Sequence, residues 1–193
     1  MKLRFSSHGW RAGFTLIELL LVIAIVGMLV TGAMYALNQG RMKSRDAKRI
    51  ADLNTITKAL ELYFTDKGAY PPSLCAPNGL DCGGGGYIAS NNATNWANLQ
   101  TALSPYLATK LPVDPVNTPG CLPWENDKCY VYSYGNVGRV TYGNTYDLSA
   151  RLETPNHPES CGQKVRYWYF DDRPWCTAFG GPYSNQMYEA SPQ

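Results

Sequence analysis

The chain has 193 residues, 45% of them apolar and 17% charged, enough to bury one modest core and too little for two ordinary domains plus a membrane segment. Its formal net charge of +2 includes Lys2, Arg4 and Arg11 at the very start, so the remainder is slightly acidic and no basic surface for nucleic acid is implied. Beyond that basic opening, no residue from Leu19 to Gly40 is charged, and a helix over these 22 residues would be about 33 Å long, enough to cross a hydrocarbon core. Glu18 stands directly before this run. A carboxylate costs about 2.5–3.5 kcal/mol at mid-bilayer and less near the interface, so a boundary charge is one reading of it. Thr31-Gly32-Ala33 offers a cleavage site for an ordinary signal peptide as another. Against a cut there, the helical pattern continues without a break into residues 41 to 67.

In that second stretch Ile50, Leu53, Ile56, Leu60 and Tyr63 recur at helical spacing, with Arg49, Asp52, Lys58 and Glu61 assigned to other faces. Lys67-Gly68 supplies a helix stop, reinforced by Pro71 and Pro72. One helix from about Thr15 to Lys67 would be about 80 Å long. Positive charges flank the apolar run on both sides, Lys2, Arg4 and Arg11 against Arg41, Lys43, Arg45, Lys48 and Arg49, so charge counting leaves the topology open.

The rest reads as a small head. Cys82-Gly83-Gly84-Gly85-Gly86 is a loop, and with no Lys-Ser or Lys-Thr after it, not a phosphate loop. Trp96, Leu99, Leu103 and Leu107 fit a short helix ending near Ser104-Pro105. Strands are expected at 130–135, 139–142, 146–152 and 164–170, with Tyr146, Leu148, Ala150 and Leu152 on one face and Asp147, Ser149, Arg151 and Glu153 on the other. The fold class is therefore α+β, an antiparallel sheet packed on the long helix. The aromatic cluster Tyr167-Trp168-Tyr169-Phe170 with Trp175 and Phe179 is read as sheet packing before adhesive surface. Asn92-Ala93-Thr94 matches a glycosylation sequon.

All six cysteines, Cys75, Cys82, Cys121, Cys129, Cys161 and Cys176, follow the apolar run, which points to disulfides outside the cytoplasm. Sequence alone cannot choose among the pairings. Chain order suggests Cys75 with Cys82, Cys121 with Cys129 and Cys161 with Cys176, each worth about 2–3 kcal/mol on the chain-entropy view. Zinc has little support, since no CxxC pair occurs and the histidines are His8 and His157. No metal and no cofactor is expected, and no nucleophile with an adjacent base or paired carboxylates speaks for an enzyme.

Arg11-Ala12-Gly13 followed by Phe14-Thr15-Leu16-Ile17-Glu18-Leu19-Leu20 resembles the class III signal of type IV pilins and type II secretion pseudopilins. The resemblance implies cleavage between Gly13 and Phe14 by a prepilin peptidase on the cytoplasmic side, N-methylation of Phe14, and a role for Glu18 in assembly through the Phe14 amine of a neighbouring subunit. With the cysteines, it places the head outside the cytoplasm. Asp66-Lys67-Gly68-Ala69-Tyr70-Pro71, Leu111-Pro112-Val113-Asp114-Pro115 and Tyr146 to Glu153 resemble parts of the major pseudopilin of type II secretion. Two departures stand out. Tyr35 occupies a position where pilins often carry a proline, which leaves Gly27 and Gly32 as the weak points of the helix. After residue 153 the acidic calcium loop of that pseudopilin is missing, with Asp171-Asp172 a weak candidate, so calcium is not expected; a Cys161–Cys176 disulfide would staple the same region.

The resulting expectation is a type IV pilin-like fold: leader 1–13, transmembrane or filament-core helix 14–40, amphipathic helix 41–67, and a head with a cysteine-rich extension over 68–193. Implied partners are copies of itself in a helical filament, the prepilin peptidase, an inner-membrane assembly platform, minor pilins or pseudopilins, and the cytoplasmic membrane. A pseudopilin is the leading expectation and a surface pilus subunit for adhesion, motility or DNA uptake the alternative. A membrane-anchored binding module with an uncleaved anchor is the rival of a different class.

Overall fold

A computed structural model describes residues 14–73, 87–123, 128–136, 146–160, 167–168, 173–174 and 186–190. Helix α1 spans Leu16–Lys67, 52 residues with no proline to interrupt its hydrogen bonds. It runs through Gly27, Gly32 and Tyr35 without a break. It ends where Gly68 adopts φ 75° and donates its N–H to Phe64 O at 2.8 Å, a left-handed cap that a Cβ would strain. The chain divides into two units, Met1–Arg41 and Met42–Gln193, so the first part of α1 and the head with the rest of α1 are described separately.

In the second unit, β1 (Tyr87–Ala89) leads into α2 (Ala93–Leu103) and a 3-10 turn at Ser104–Tyr106. Asn92, the first residue of the sequon, caps α2 by accepting from Asn95 N–H at 3.1 Å. Strands β2 (Tyr132–Gly135), β3 (Asp147–Arg151) and β6 (Met187–Ala190) complete an antiparallel sheet in the order β1-β2-β3-β6. Its register pairs Ser133 with Ser149 and Ala150 with both Tyr132 and Tyr188. Strands β4 (Tyr167–Trp168) and β5 (Arg173–Pro174) form a separate two-stranded pair. The fold is α+β, a long helix followed by a small antiparallel sheet. Edge strands β1 and β6 and strand β5 were not anticipated, since three short runs carry no readable period. The expected strand at 139–142, the glycine run 82–86 and Asp171-Asp172 lie outside the described residues.

One core joins Leu53, Ile56, Ala59 and Leu60 of α1 to Trp96, Leu99 and Leu103 of α2 and to Tyr132, Tyr134, Leu148, Ala150, Tyr188 and Ala190 of the sheet. Each Leu or Ile so buried contributes about 1.5–3 kcal/mol. The Trp96 indole donates to Pro112 O at 3.0 Å, tying the 111–115 turn to α2.

The polar face of β3 is buried as well. Asp147, Ser149 and Arg151 are as buried as Leu148 and Ala150. A second apolar cluster of Tyr87, Ala89, Leu122, Cys129 and Val131 forms in this unit, and the disulfide Cys121–Cys129, Cα atoms 6.0 Å apart, closes the segment that supplies it. Polar groups of that face find partners: Ser133 and Ser149 hydroxyls meet at 2.9 Å, Tyr87 donates to Asp147 Oδ2 at 2.6 Å, and Arg151 donates to Pro123 O. Gly135 lets the Tyr87 ring lie against the strand, where a Cβ would come within 2.6 Å of it. Alternation is thus correct as geometry but not as a guide to which face meets water. Cys75, Cys82, Cys161 and Cys176 lie outside the described residues.

Candidate functional site

Thr15 opens α1. Its carbonyl accepts from Glu18 N–H at 3.2 Å and Leu19 N–H at 3.3 Å, and its hydroxyl oxygen accepts from Glu18 N–H at 3.3 Å. Glu18 therefore occupies the first turn, where the helix dipole favours an anion. Phe14 is 78% and Leu16 88% exposed, and every large apolar side chain from Ile17 to Leu37 is exposed as well. The helix is long and apolar enough to cross a membrane. So much contiguous apolar surface is a contact surface for lipid or for other apolar helices. Gly13 and the residues before it lie outside the described residues, while Phe14 and Glu18 are described.

Further along α1 the pattern inverts, and a charged cluster is buried. Arg49 is fully buried. Its Nε donates to Asp114 Oδ2 at 2.7 Å and Nη2 to Asp114 Oδ1 at 3.2 Å, while Nη1 donates to Asp46 Oδ1 at 2.9 Å and Glu153 Oε1 at 2.7 Å. The guanidinium also lies 4.8 Å from the centre of the Tyr130 ring. Arg45 donates its Nε to Glu153 Oε1 at 2.6 Å and forks onto Oε2. The carboxylates are themselves held. Asp46 accepts from the backbone N–H groups of Glu153 at 2.8 Å and Thr154 at 2.9 Å, and Asp114 from that of Val116 at 2.8 Å. One cluster thereby joins α1, the 111–115 turn and the end of β3.

Burial works against charge on Arg49, but the bonds from Asp114 and Glu153 outweigh it and hold the guanidinium more firmly protonated than usual. Burial likewise opposes charge on Glu153, and its bonds to Arg45 and Arg49 outweigh that, so its carboxyl stays below its ordinary range. Tyrosine hydroxyls extend the grip. Tyr132 donates to Asp52 at 2.8 Å, Tyr188 to Asn54 at 3.3 Å and Tyr70 to both Glu61 oxygens at 3.0 Å. Burial and the Asp52 carboxylate raise the Tyr132 hydroxyl well above its usual range, so it remains a donor.

Arg49 thus lies on the buried face of α1 and not on another face as its charge suggests, and the spacing of the sequence carries the signal. Asp46, Arg49, Leu53, Ile56 and Leu60 follow spacings of three, four, three and four, so the buried stripe continues upstream in charged residues. An apolar-only search could not see it, because the partners Asp114 and Glu153 come from distant parts of the chain.

The family described as the prokaryotic N-terminal methylation motif matches residues 11–34. Type II secretion system core protein G of Aeromonas hydrophila is 29% identical over 106 residues, covering 49% of this chain and 74% of that protein. The same core protein of Escherichia coli K12 is 29% identical over 105 residues, 48% of this chain and 72% of its own length. The type IV wide pilus major component PilA4 of Thermus thermophilus is 39% identical over 64 residues, 33% of this chain and 49% of that protein. No solved structure matches.

A methylation motif leading into an exposed apolar helix, followed by a small α+β head, defines the class of pilin-like filament subunits. The chain carries that motif and is similar to core protein G of type II secretion systems and to a type IV pilus component. Pilins and pseudopilins are structural subunits that assemble into filaments with themselves and with other pilins, and the N-terminal apolar helix of this chain fits anchorage in the inner membrane.

Proposed function

We propose that this chain is a pseudopilin-type subunit that is cut between Gly13 and Phe14 by a prepilin peptidase, N-methylated on Phe14, and delivered by an inner-membrane assembly platform into a filament that includes minor subunits. Residues 14–40 serve as membrane anchor and then filament core, residues 41–67 carry the head, and the head of 68–193 faces the extracytoplasmic space. The observation that carries this reading is the exposed apolar run from Phe14 to Leu37 with Glu18 in its first turn, a run that begins inside the motif matched over residues 11–34. In an assembled core Glu18 pairs with the Phe14 amine of a neighbour. A buried anion then gains a partner, and subunit register is set by charge. Metal and catalysis play no part in this mechanism.

The 39% identity over 64 residues to a wide-pilus component favours a second reading, a surface pilus subunit. Gene deletion scored for surface filaments and for secretion separates the two. Intact mass and N-terminal sequencing of the protein from cells test the shared reading: N-methylphenylalanine at Phe14 is expected. A chain that retains Met1, or that begins after Ala33, would instead identify an anchored or secreted binding module.

A further inference from the structure

The five basic residues that follow the apolar run do not share one fate. Arg45 pairs with Glu153, Lys48 with Asp52 at 2.9 Å, and Arg49 with Asp46, Asp114 and Glu153. Arg41 and Lys43 are exposed, and among the described residues neither has an ion-pair partner. No acidic residue occurs between Glu18 and Asp46 to neutralise them locally. They directly follow the uncharged stretch that ends at Gly40, where a bilayer-spanning helix passes from hydrocarbon into headgroups.

Their angular placement bears on the kind of partner. Two residues apart on a helix, the side chains leave in directions about 200° apart, so one flat protein surface cannot meet both. A headgroup layer surrounds the helix and meets both. Long basic side chains reach such a layer by extending along the helix.

We infer that Arg41 and Lys43 bind the phosphates of anionic phospholipids in the leaflet on the head side, giving the subunit a lipid preference while it waits in the membrane. This rests on the membrane reading of α1 and adds a lipid partner to it. Release from the membrane into a filament then requires both contacts to be given up.

The test reconstitutes the full chain in phosphatidylcholine vesicles containing a minor fraction of spin-labelled phosphatidylglycerol, with spin-labelled phosphatidylethanolamine as the zwitterionic control. Wild type is expected to enrich phosphatidylglycerol in its boundary layer by about five-fold per cation, an effect that added salt weakens. Arg41→Gln with Lys43→Gln abolishes the enrichment, each single change removes part of it, and Lys58→Gln, exposed and farther along α1, leaves it intact. All three substituted positions are exposed, and an unchanged tryptophan spectrum verifies the head in each variant. Equal association of the two labelled lipids with wild type, or full enrichment in the double variant, overturns the inference. Methylated Phe14 without any lipid preference would defeat this inference alone. An unprocessed N-terminus with the preference intact would defeat the filament reading and leave this one standing.

Discussion

The two parts of α1 invert the usual relation between polarity and burial. Up to Leu37 its leucines, isoleucines and valines are exposed, whereas beyond Arg45 an arginine and an aspartate are fully sealed inside the head. The difference lies in which partners each part has within the chain. The second part finds its own: apolar residues from α2 and the sheet, carboxylates from the 111–115 turn and β3, and tyrosine hydroxyls along its polar positions. The large apolar side chains of the first part stay exposed among the described residues, a surface open to lipid or to other apolar helices. A charged cluster inside and a greasy helix outside are consistent once folding and assembly are treated as separate steps.

Glu18→Ala probes the first part at its most polar point and carries the largest expected effect. If Glu18 is paired in the filament core, its loss leaves the neighbour's amine buried alone at a cost of about 3–5 kcal/mol, so incorporation into sheared, sedimented filaments should fall by about two orders of magnitude or more. The head should fold as before, as read by near-ultraviolet circular dichroism. Normal filament yield from this variant would remove the assembly role of Glu18.

Arg49→Ala probes the second part. It strands Asp46 and Asp114 in a dry site, and the head of the detergent-solubilised chain should lose about 3–5 kcal/mol in urea unfolding followed by tryptophan fluorescence. A loss below about 1 kcal/mol, the range of an exposed pair, would mean that the cluster is solvated and that the contrast between the two parts is overstated.

The same cluster sets a pH dependence. Because the folded-state pKa of Glu153 is lowered from its ordinary 4.5, it contributes stability that is fully present above that value and is lost as pH falls through the lower folded value. Urea midpoints of wild type should therefore drop on acidification below about pH 4.5 more steeply than those of Glu153→Gln. Parallel profiles would show that Glu153 is not coupled to Arg45 and Arg49.

The smallest effect belongs to Lys48, whose pairing with Asp52 is an exposed contact one turn apart on α1. Lys48→Ala should change head stability by about 0.3–0.5 kcal/mol, measurable only against replicate urea curves. A larger loss would mean that exposed charges also hold this part of the helix.

Much of the molecule was legible from the order of residues. An uncharged run, a glycine at the end of a helical stripe and a short apolar period before Ser104-Pro105 are local signals, and α1, its stop at Gly68 and α2 follow from them. The motif around Gly13 and Phe14 is local too, which explains why it is readable and why the family match falls on residues 11–34. Strands β1 and β6 were not legible, because three or four residues acquire an identity only when a neighbour offers its hydrogen bonds.

By itself, then, the sequence determined a long helix with an apolar front part, an amphipathic rear part and an α+β head behind it, since propensity, period and capping act over a few residues. The tertiary structure decided which charges are buried and which sheet face is covered. Arg49 becomes a core residue only because Asp114 and Glu153, 65 and 104 positions away, arrive at its guanidinium. Arg151 and Asp147 are buried beside partners from elsewhere in the chain, Pro123 of the disulfide-closed segment and Tyr87 of β1. Desolvation is a property of the whole assembly of elements, and no window along the chain contains it.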